Sequence, residues 1–577
     1  MMRIRDVERL TGLNRKAVRL YEAKGLLTVE RSDNDYREYG DEDVARLQRI
    51  AMLRRAGVSI QDIQLWQNGV ISGTEMVEKR LAELRDEADN AESQRLLCQR
   101  LAELIDEPGF AADPAAGALL CSLPESGDGG EDQAAGADRS APHIVGFDIG
   151  TTTISAVVED AAGLGESDVY TVRNRFALPT DNAWEHIQDA EAIWREVKRL
   201  LDFIMKRYVK ICAIGISGQM HGILFTDGCS ALSPLYTWQD ERAGKGSPSA
   251  CDIIREKTGY NVPHGYGIAT YYSLTLADAV PRGARAICTV MDYAAMRLCG
   301  LSHPVTHASN AASLGLYSFQ DKDFDKKALK KLGIPEKILP KVSGDVIAGS
   351  FNGIPVAVPI GDNQADFLGA VRGRRDAALA NFGTGSQITV PADSPELSVT
   401  TPDIEIRPFT DGRYIISGSA LCGGRAYAIT EGFFRKYAIA CGMTDKSQYE
   451  VMNRLAAEGI ENADLPRVRT SFCGTRSDPG VRGIISGISE ENYTPGSLIA
   501  GTLIGMAEEL YGMFLALPHE KITTLIASGN AVRLNPALKS ALEKVFGMKV
   551  KVTEQRESAA AGAALFAGYA AGIIKKT

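Results

Sequence analysis

The sequence builds the same short turn twice. HIVGFDIGTTTISAVVED sets two apolar strand patterns either side of a turn holding Asp148, Gly150, Thr151, Thr152 and Thr153, and NFGTGSQITV does the same around Gly383, Thr384, Gly385 and Ser386. A phosphate needs a backbone that can come close, which glycine permits, and hydroxyl and N–H donors, which threonine and serine supply. Asp148 adds a carboxylate that can hold Mg²⁺ directly or through water. Alone, either turn reads equally well as a plain polar hairpin. Two of them, about 230 residues apart, point to two related halves facing one nucleotide.

Between the turns, IPVAVPIGDNQADFLGAV is an apolar strand that ends at Gly361 and Asp362 and then takes up a helical pattern. A carboxylate at the end of a strand beside a phosphate site can accept the proton of an attacking alcohol, so Asp362 is the candidate general base, with Asn363 beside it. The competing reading of Asp362 is a helix N-cap. Asp366, one turn on, reads as a supporting or solvated carboxylate. Small polyhydroxyl ligands are recognised by converging polar groups rather than by apolar area. GQMHG and TWQDER supply such a set in Gln219, Met220, His221, Trp238, Asp240 and Arg242, with the indole available to stack on carbon-bound hydrogens.

A chain of 577 residues exceeds a single core. Residues 108–142, rich in Ala, Gly, Pro, Asp and Ser, show little helical or strand periodicity and are expected to be a flexible linker. They separate a charged helical head from an α/β body. The net charge of −9 excludes a globally basic coat but not a local basic patch. No uninterrupted apolar run reaches the roughly 18 residues of a bilayer span, and the ten cysteines are scattered. A cytoplasmic protein with reduced thiols and no membrane partner is the expectation.

In the head, IRDVERLTG and LNRKAVRLYEAKGLL form a helix-turn-helix pattern that places Arg15 and Arg19 on one face with Lys16 beside them, while Leu10 and Val18 are expected to turn inward. RSDNDYREY follows as a wing, and Tyr36, Arg37 and Tyr39, together with Tyr21, are candidate DNA contacts. DEDVARLQRIAMLRRAG and SIQDIQLWQNG are further helices, the second capped by Ser59. This order resembles the MerR family of transcription regulators over residues 1–72, with Ala17 and Leu20 standing where the family usually has a hydroxyl and an aromatic. Residues 73–107 are expected to be a dimer helix, because from Val77 to Ile105 an apolar seam broken by Arg95 repeats every 3.5 residues. The resemblance implies an antiparallel coiled coil and a homodimer that binds DNA.

The body resembles the FGGY carbohydrate kinases, through GFDIGTTT, GISGQMHGILF, TWQDERA, GDNQA, NFGTGSQ, FCGTRSDPGVRGIISGIS and IASGNAVRLNPAL. The resemblance implies two RNase H-like, actin-like ATPase lobes at 143–375 and 376–577, with ATP and a sugar in the cleft. It implies that Asp148 engages the metal, that Gly150–Thr153 and Gly383–Ser386 contact ATP, and that Asp362 is the base. Gly529, Asn530 and Asn535 fall on the adenine side. Ser155 departs from the Lys or Arg many members carry after the first turn. The wording of GQMHG, TWQDER, GYGIATYY, DYAAMRLCG and SNAASLGLY is closer to the sedoheptulokinase branch than to glycerol kinase. That implies a ketose, with xylulose or another pentulose as the alternative. A second expectation is a sugar-responsive regulator using the kinase fold as its sensor.

Overall fold

The structure is a computed structural model. It describes residues 2, 4–11, 13, 15–27, 29–31, 37–86, 139–162, 168–395, 403–475, 478–519, 521–553 and 557–576. Tyr36, the dimer helix from 87 to 107 and the linker from 108 to 138 lie outside the described residues. The rest forms two compact units, one built on the head helices and one holding most of the chain from Ser140 onward.

The head packs helices Ile4–Thr11, Arg15–Ala23, Asp41–Arg55, Ile60–Gln67 and Gly73–Asp86 around Val7, Val18, Leu47, Ile50, Leu53, Ile63, Leu65 and Val77. Ser59 caps its helix as expected, its Oγ accepting from the Asp62 N–H at 3.0 Å. The wing is an antiparallel pair, Glu30–Arg31 against Arg37–Glu38. Leu10 does not turn inward: it is 46% exposed, because Val7 and Thr11, one turn apart, take the buried face of that short helix.

In the larger unit the two turns join matching hairpins. Pro142–Ile149 runs antiparallel to Thr153–Asp160 and parallel to Lys210–Gly218. Ala377–Phe382 likewise runs antiparallel to Ser386–Ala392 and parallel to Thr524–Ser528. The correspondence holds residue by residue: Asp148 lies opposite Ser217 in the first lobe as Asn381 lies opposite Ser528 in the second, and a Gly follows each serine. The first sheet continues beyond Lys210–Gly218 through Ile354–Ala357 and Ile347–Phe351. The second sheet has six strands in the order Ile404–Pro408, Tyr414–Ala420, Ser386–Ala392, Ala377–Phe382, Thr524–Ser528, Lys549–Val552. This is the two-lobed α/β architecture expected from the sequence.

The last helix crosses the expected boundary at 375/376. Ser558–Ala570 packs on the first sheet and on helix Asp362–Val371, because its Ala and Gly residues let backbones meet. A Cβ on Gly562 would sit 1.8 Å from the Ala365 carbonyl oxygen, and one on Gly215 would sit 1.9 Å from that of Ala563. This contact joins the lobes directly behind the Asp362 helix. Among the described residues one helix, Pro495–Ala516, is long and apolar enough to cross a membrane. Its Ile499, Leu503, Met506 and Leu510 are buried in the second lobe's core.

Candidate active site

Each hairpin presents its turn at the end of its lobe. Asn174 holds the first, its Nδ2 donating to the Gly150 carbonyl at 2.8 Å, and Gln188 Nε2 donates to the Thr151 carbonyl at 2.9 Å. In the second turn Gly383 and Thr384 are exposed. Their carbonyls accept from the Gly424 N–H at 2.9 Å and the Gly423 N–H at 3.1 Å. Gly529 lies against the same turn, since a Cβ there would meet the Phe382 carbonyl oxygen at 2.2 Å, and its φ of +98° suits glycine. Asn530 follows it, exposed and accepting from Arg533. Asn535 is different: it is buried, and its Oδ1 caps helix Pro536–Phe546 by accepting from the Ala537 N–H at 3.1 Å.

Asp362 is not a cap. Gly361 holds that position and Asp362 is the first helical residue, its Oδ1 accepting from the N–H and Nδ2 of Asn363 at 2.6 and 2.8 Å. Burial raises its pKa, while the Arg407 guanidinium and the Asn363 donors pull it back. Asp148 stands at the end of the first strand with Oδ1 buried and without a hydrogen-bond partner. Burial, then the charges of Asp362, Glu557 and Asp366, hold it well above the ordinary carboxylate range. Asp366 is pushed up to about 6, chiefly by burial, and accepts from Asn381 Nδ2 at 3.4 Å. Thus Asp148 feels the charges of three further carboxylates, and Asn381, on the first strand of the second hairpin, hydrogen-bonds one of them, Asp366.

That crowding fits a cation. Every charge felt by Asp148 disfavours its ionisation, and a divalent ion would reverse the balance. Among the described residues no three His, Cys, Asp or Glu side chains converge as a ready-made ligand set. Asp148, whose buried Oδ1 has no hydrogen-bond partner, is the side chain there that can hold a divalent ion.

The candidate sugar residues fall into two groups. Gln219 is buried, with Nε2 donating to Gln188 Oε1 at 2.9 Å, and its Oε1 accepts from Thr151 Oγ1 at 3.4 Å. Trp238, 47% exposed, donates from Nε1 to Thr151 Oγ1 at 3.1 Å. Met220 Sδ lies 3.6 Å from Asn363 Nδ2. His221 has a left-handed φ of 71°, stacks on Tyr266 and donates from Nδ1 to the Ser313 carbonyl at 2.8 Å. Burial pushes its pKa down to about 4, so the ring is neutral and Nε2 is left as an acceptor. These residues connect the first turn to Asp362. Asp240 and Arg242 do not join them: Asp240 is fully buried and takes the guanidinium in a two-point pair at 2.6 and 2.9 Å, with the His186 N–H on Oδ2 at 3.0 Å. They brace the loop that carries Trp238.

Asn174, Gln188, Glu557 and Arg407 were not singled out from the sequence. Glu557, just ahead of the Ala-rich last helix, and Arg407, in EIRPF, belong to no repeated pattern there. Ser155, opposite Asp148 in the hairpin, is buried, and among the described residues the charges that act on Asp148 are those of carboxylates.

In the head, Arg15, Lys16 and Arg19 are exposed along the second helix, Arg15 paired with Glu8 at 3.1 Å. Arg37 is held by Glu22 at 2.6 Å. Tyr21 and Tyr39 do not face a groove. They are 6% and 0% exposed, because the strand that brings in Tyr39 bridges back to Met2 and turns its ring into the core.

The model of the FGGY family of carbohydrate kinases, N-terminal domain, matches residues 143–369, and that of the C-terminal domain matches 378–571. The model of the MerR HTH family regulatory protein matches residues 2–69. The chain is 27% identical to the sedoheptulokinase of Mus musculus, over 74% of this chain and 97% of the relative. It is 25% identical to a glycerol kinase of Listeria monocytogenes, over 75% and 91%. A crystal structure of a xyloylose kinase from Brucella ovis superposes with a TM-score of 0.63 at 21% identity, covering 75% of this chain and 91% of that one.

Proposed function

The chain belongs to the FGGY family of carbohydrate kinases and carries a MerR-type head, and from that premise we propose that it transfers the γ-phosphate of ATP to a hydroxyl of a ketose. A seven-carbon ketose such as sedoheptulose is the first choice and a pentulose such as xylulose the second. The observation that carries the reading is the carboxylate cluster at the first turn, tied through Asn381 to the second. Such a cluster suits a metal–triphosphate and a base in one place.

In this reading Gly150–Thr153 and Gly383–Ser386 cradle the phosphates, Gly529 and Asn530 border the nucleoside, and Asp148 would hold Mg²⁺ directly or through water. Bound there, the metal neutralises phosphate charge. Asp362 takes the proton of the attacking hydroxyl, and its raised pKa keeps it basic enough to do so. His221 Nε2, the Gln219 amide and the Trp238 face orient the sugar. Because little covalent chemistry falls to the protein, rate comes from position and from water exclusion as the lobes close.

The head is read as a DNA-binding module, with Lys16 and Arg19 as phosphate contacts, and a homodimer through the 73–107 helix would present two such heads. Coupling sugar or ATP occupancy to DNA binding would make the protein a sugar-responsive regulator as well. The enzymatic reading is tested by ADP release with Mg²⁺ and ATP across sedoheptulose, xylulose, ribulose and glycerol. A ketose should stimulate release far above the sugar-free rate, and equal rates with and without every acceptor would refute it.

A further inference from the structure

The second lobe brings a cation near Asp362 and His221. Arg407 lies on the edge strand Ile404–Pro408, two segments beyond the second turn. Next to it, the Pro408 carbonyl accepts from Gln364 Nε2 at 3.1 Å, and Gln364 is two residues from Asp362 on the same helix. The strand also packs against helix Ala308–Leu314, whose Ser313 anchors His221. So the strand of Arg407 meets both the helix that carries Asp362 and the helix that anchors His221. Its charge is felt by both side chains.

The guanidinium is half used. Nε donates to Glu405 Oε2 at 3.2 Å and one terminal nitrogen donates to the same carboxylate. The other terminal nitrogen, Nη1, is buried and has no hydrogen-bond partner. A buried charged donor left unpaired is costly, and native structures satisfy such groups or reserve them for a ligand. Glu405 offsets the charge, so what remains is a fixed N–H rather than a free cation. That suits an oxygen of a neutral polyol, a hydroxyl or a carbonyl, better than it suits a carboxylate.

We infer that Arg407 Nη1 donates a hydrogen bond to an oxygen of the bound sugar, which makes Arg407 a substrate-positioning residue contributed by the opposite lobe from Asp362 and His221. The acceptor then touches both lobes and favours their closure over it. This inference rests on the sugar-kinase reading and adds a residue to it.

The test uses the full chain, Mg²⁺, ATP and whichever ketose is turned over fastest, with Arg407→Gln, Arg407→Lys and Glu405→Gln. Losing a hydrogen bond to a charged group is worth about 1.5–3 kcal/mol, so KM for the sugar should rise about 10–100-fold in Arg407→Gln. Arg407→Lys, which keeps charge but loses the planar fork, should also raise it, and KM for ATP should stay within about twofold of wild type in both. Glu405→Gln should raise KM for the sugar less than either. A merely structural role would instead lower the melting temperature or move both KM values together. An unchanged sugar KM in Arg407→Lys, or a common shift of both KM values, overturns the inference. If Arg407→Gln fails to fold, Arg407→Lys decides alone. A wild type that turns over no sugar would refute the kinase reading itself and take this inference with it.

Discussion

Replacing Asp366 by Asn should stabilise the nucleotide-free protein, and only at neutral pH. In the native state Asp366 is pushed up to about 6 from an ordinary 3.8, first by burial, with the Asn381 hydrogen bond opposing and the Asp362 charge adding. The native state therefore holds this proton more tightly than the unfolded chain does. Ionising it costs folding free energy: nothing below the unfolded value, a growing amount between about pH 4 and 6, and the full amount above. About two units at about 1.4 kcal/mol each give about 3 kcal/mol. Asn cannot ionise, so Asp366→Asn should gain up to about that much at pH 8 and little near pH 4. The assay is the melting temperature of the metal-free protein in chelator across this range. The difference between variant and wild type should open as pH rises, by several degrees, and added Mg²⁺ should raise wild type more than the variant. A difference that is the same at both ends, or a loss at pH 8, would refute the argument that crowded carboxylates strain the empty cleft.

The other expectations are briefer. Asp362→Asn should lower kcat by about 10²–10⁴-fold while leaving ATP affinity, by calorimetry, near wild type; turnover close to wild type would remove Asp362 as the base. Gly562→Ala would place a Cβ 1.8 Å from the Ala365 carbonyl oxygen, and should cost about 1–3 kcal/mol in thermal melts despite the better helix propensity of Ala. A neutral or stabilised variant would show that the interlobe helix contact is looser than described. In the head, Arg19→Ala should weaken binding to generic duplex DNA and reduce the salt slope by about 1, whereas Tyr39→Phe should leave binding unchanged. Anisotropy titrations at several salt concentrations would separate the two, and a loss in Tyr39→Phe alone would contradict the buried placement of that ring.

Much of this was readable from the chain because the fold repeats its chemistry. The two glycine turns point to related halves before any contact is known, and the structure adds the paired Ser-Gly strand ends at 217–218 and 528–529. Asp362 was legible as a carboxylate at a strand's end, and the structure removes the competing cap reading, since Gly361 takes the capping position. What stayed hidden depends on partners distant in sequence or on the direction of one side chain. Arg407 comes near Asp362 only because an edge strand of the second lobe touches Gln364. Asp240 looked like a sugar ligand until its two oxygens were found occupied by Arg242 and the His186 N–H. Tyr39 sits in a wing motif, yet a bridge to Met2 turns it inward. Spacing cannot report either event, because both are decided by pairing rather than by periodicity.

The most direct measurement follows the phosphorus. With purified full-length protein, Mg²⁺, ATP and sedoheptulose, and xylulose in parallel, ³¹P NMR should show the γ-phosphate signal giving way in equal measure to ADP and to a sugar phosphomonoester. Inorganic phosphate appearing instead, or an ATP spectrum that never changes with any ketose, would contradict the claim that the two turns and Asp362 enclose a single transfer site.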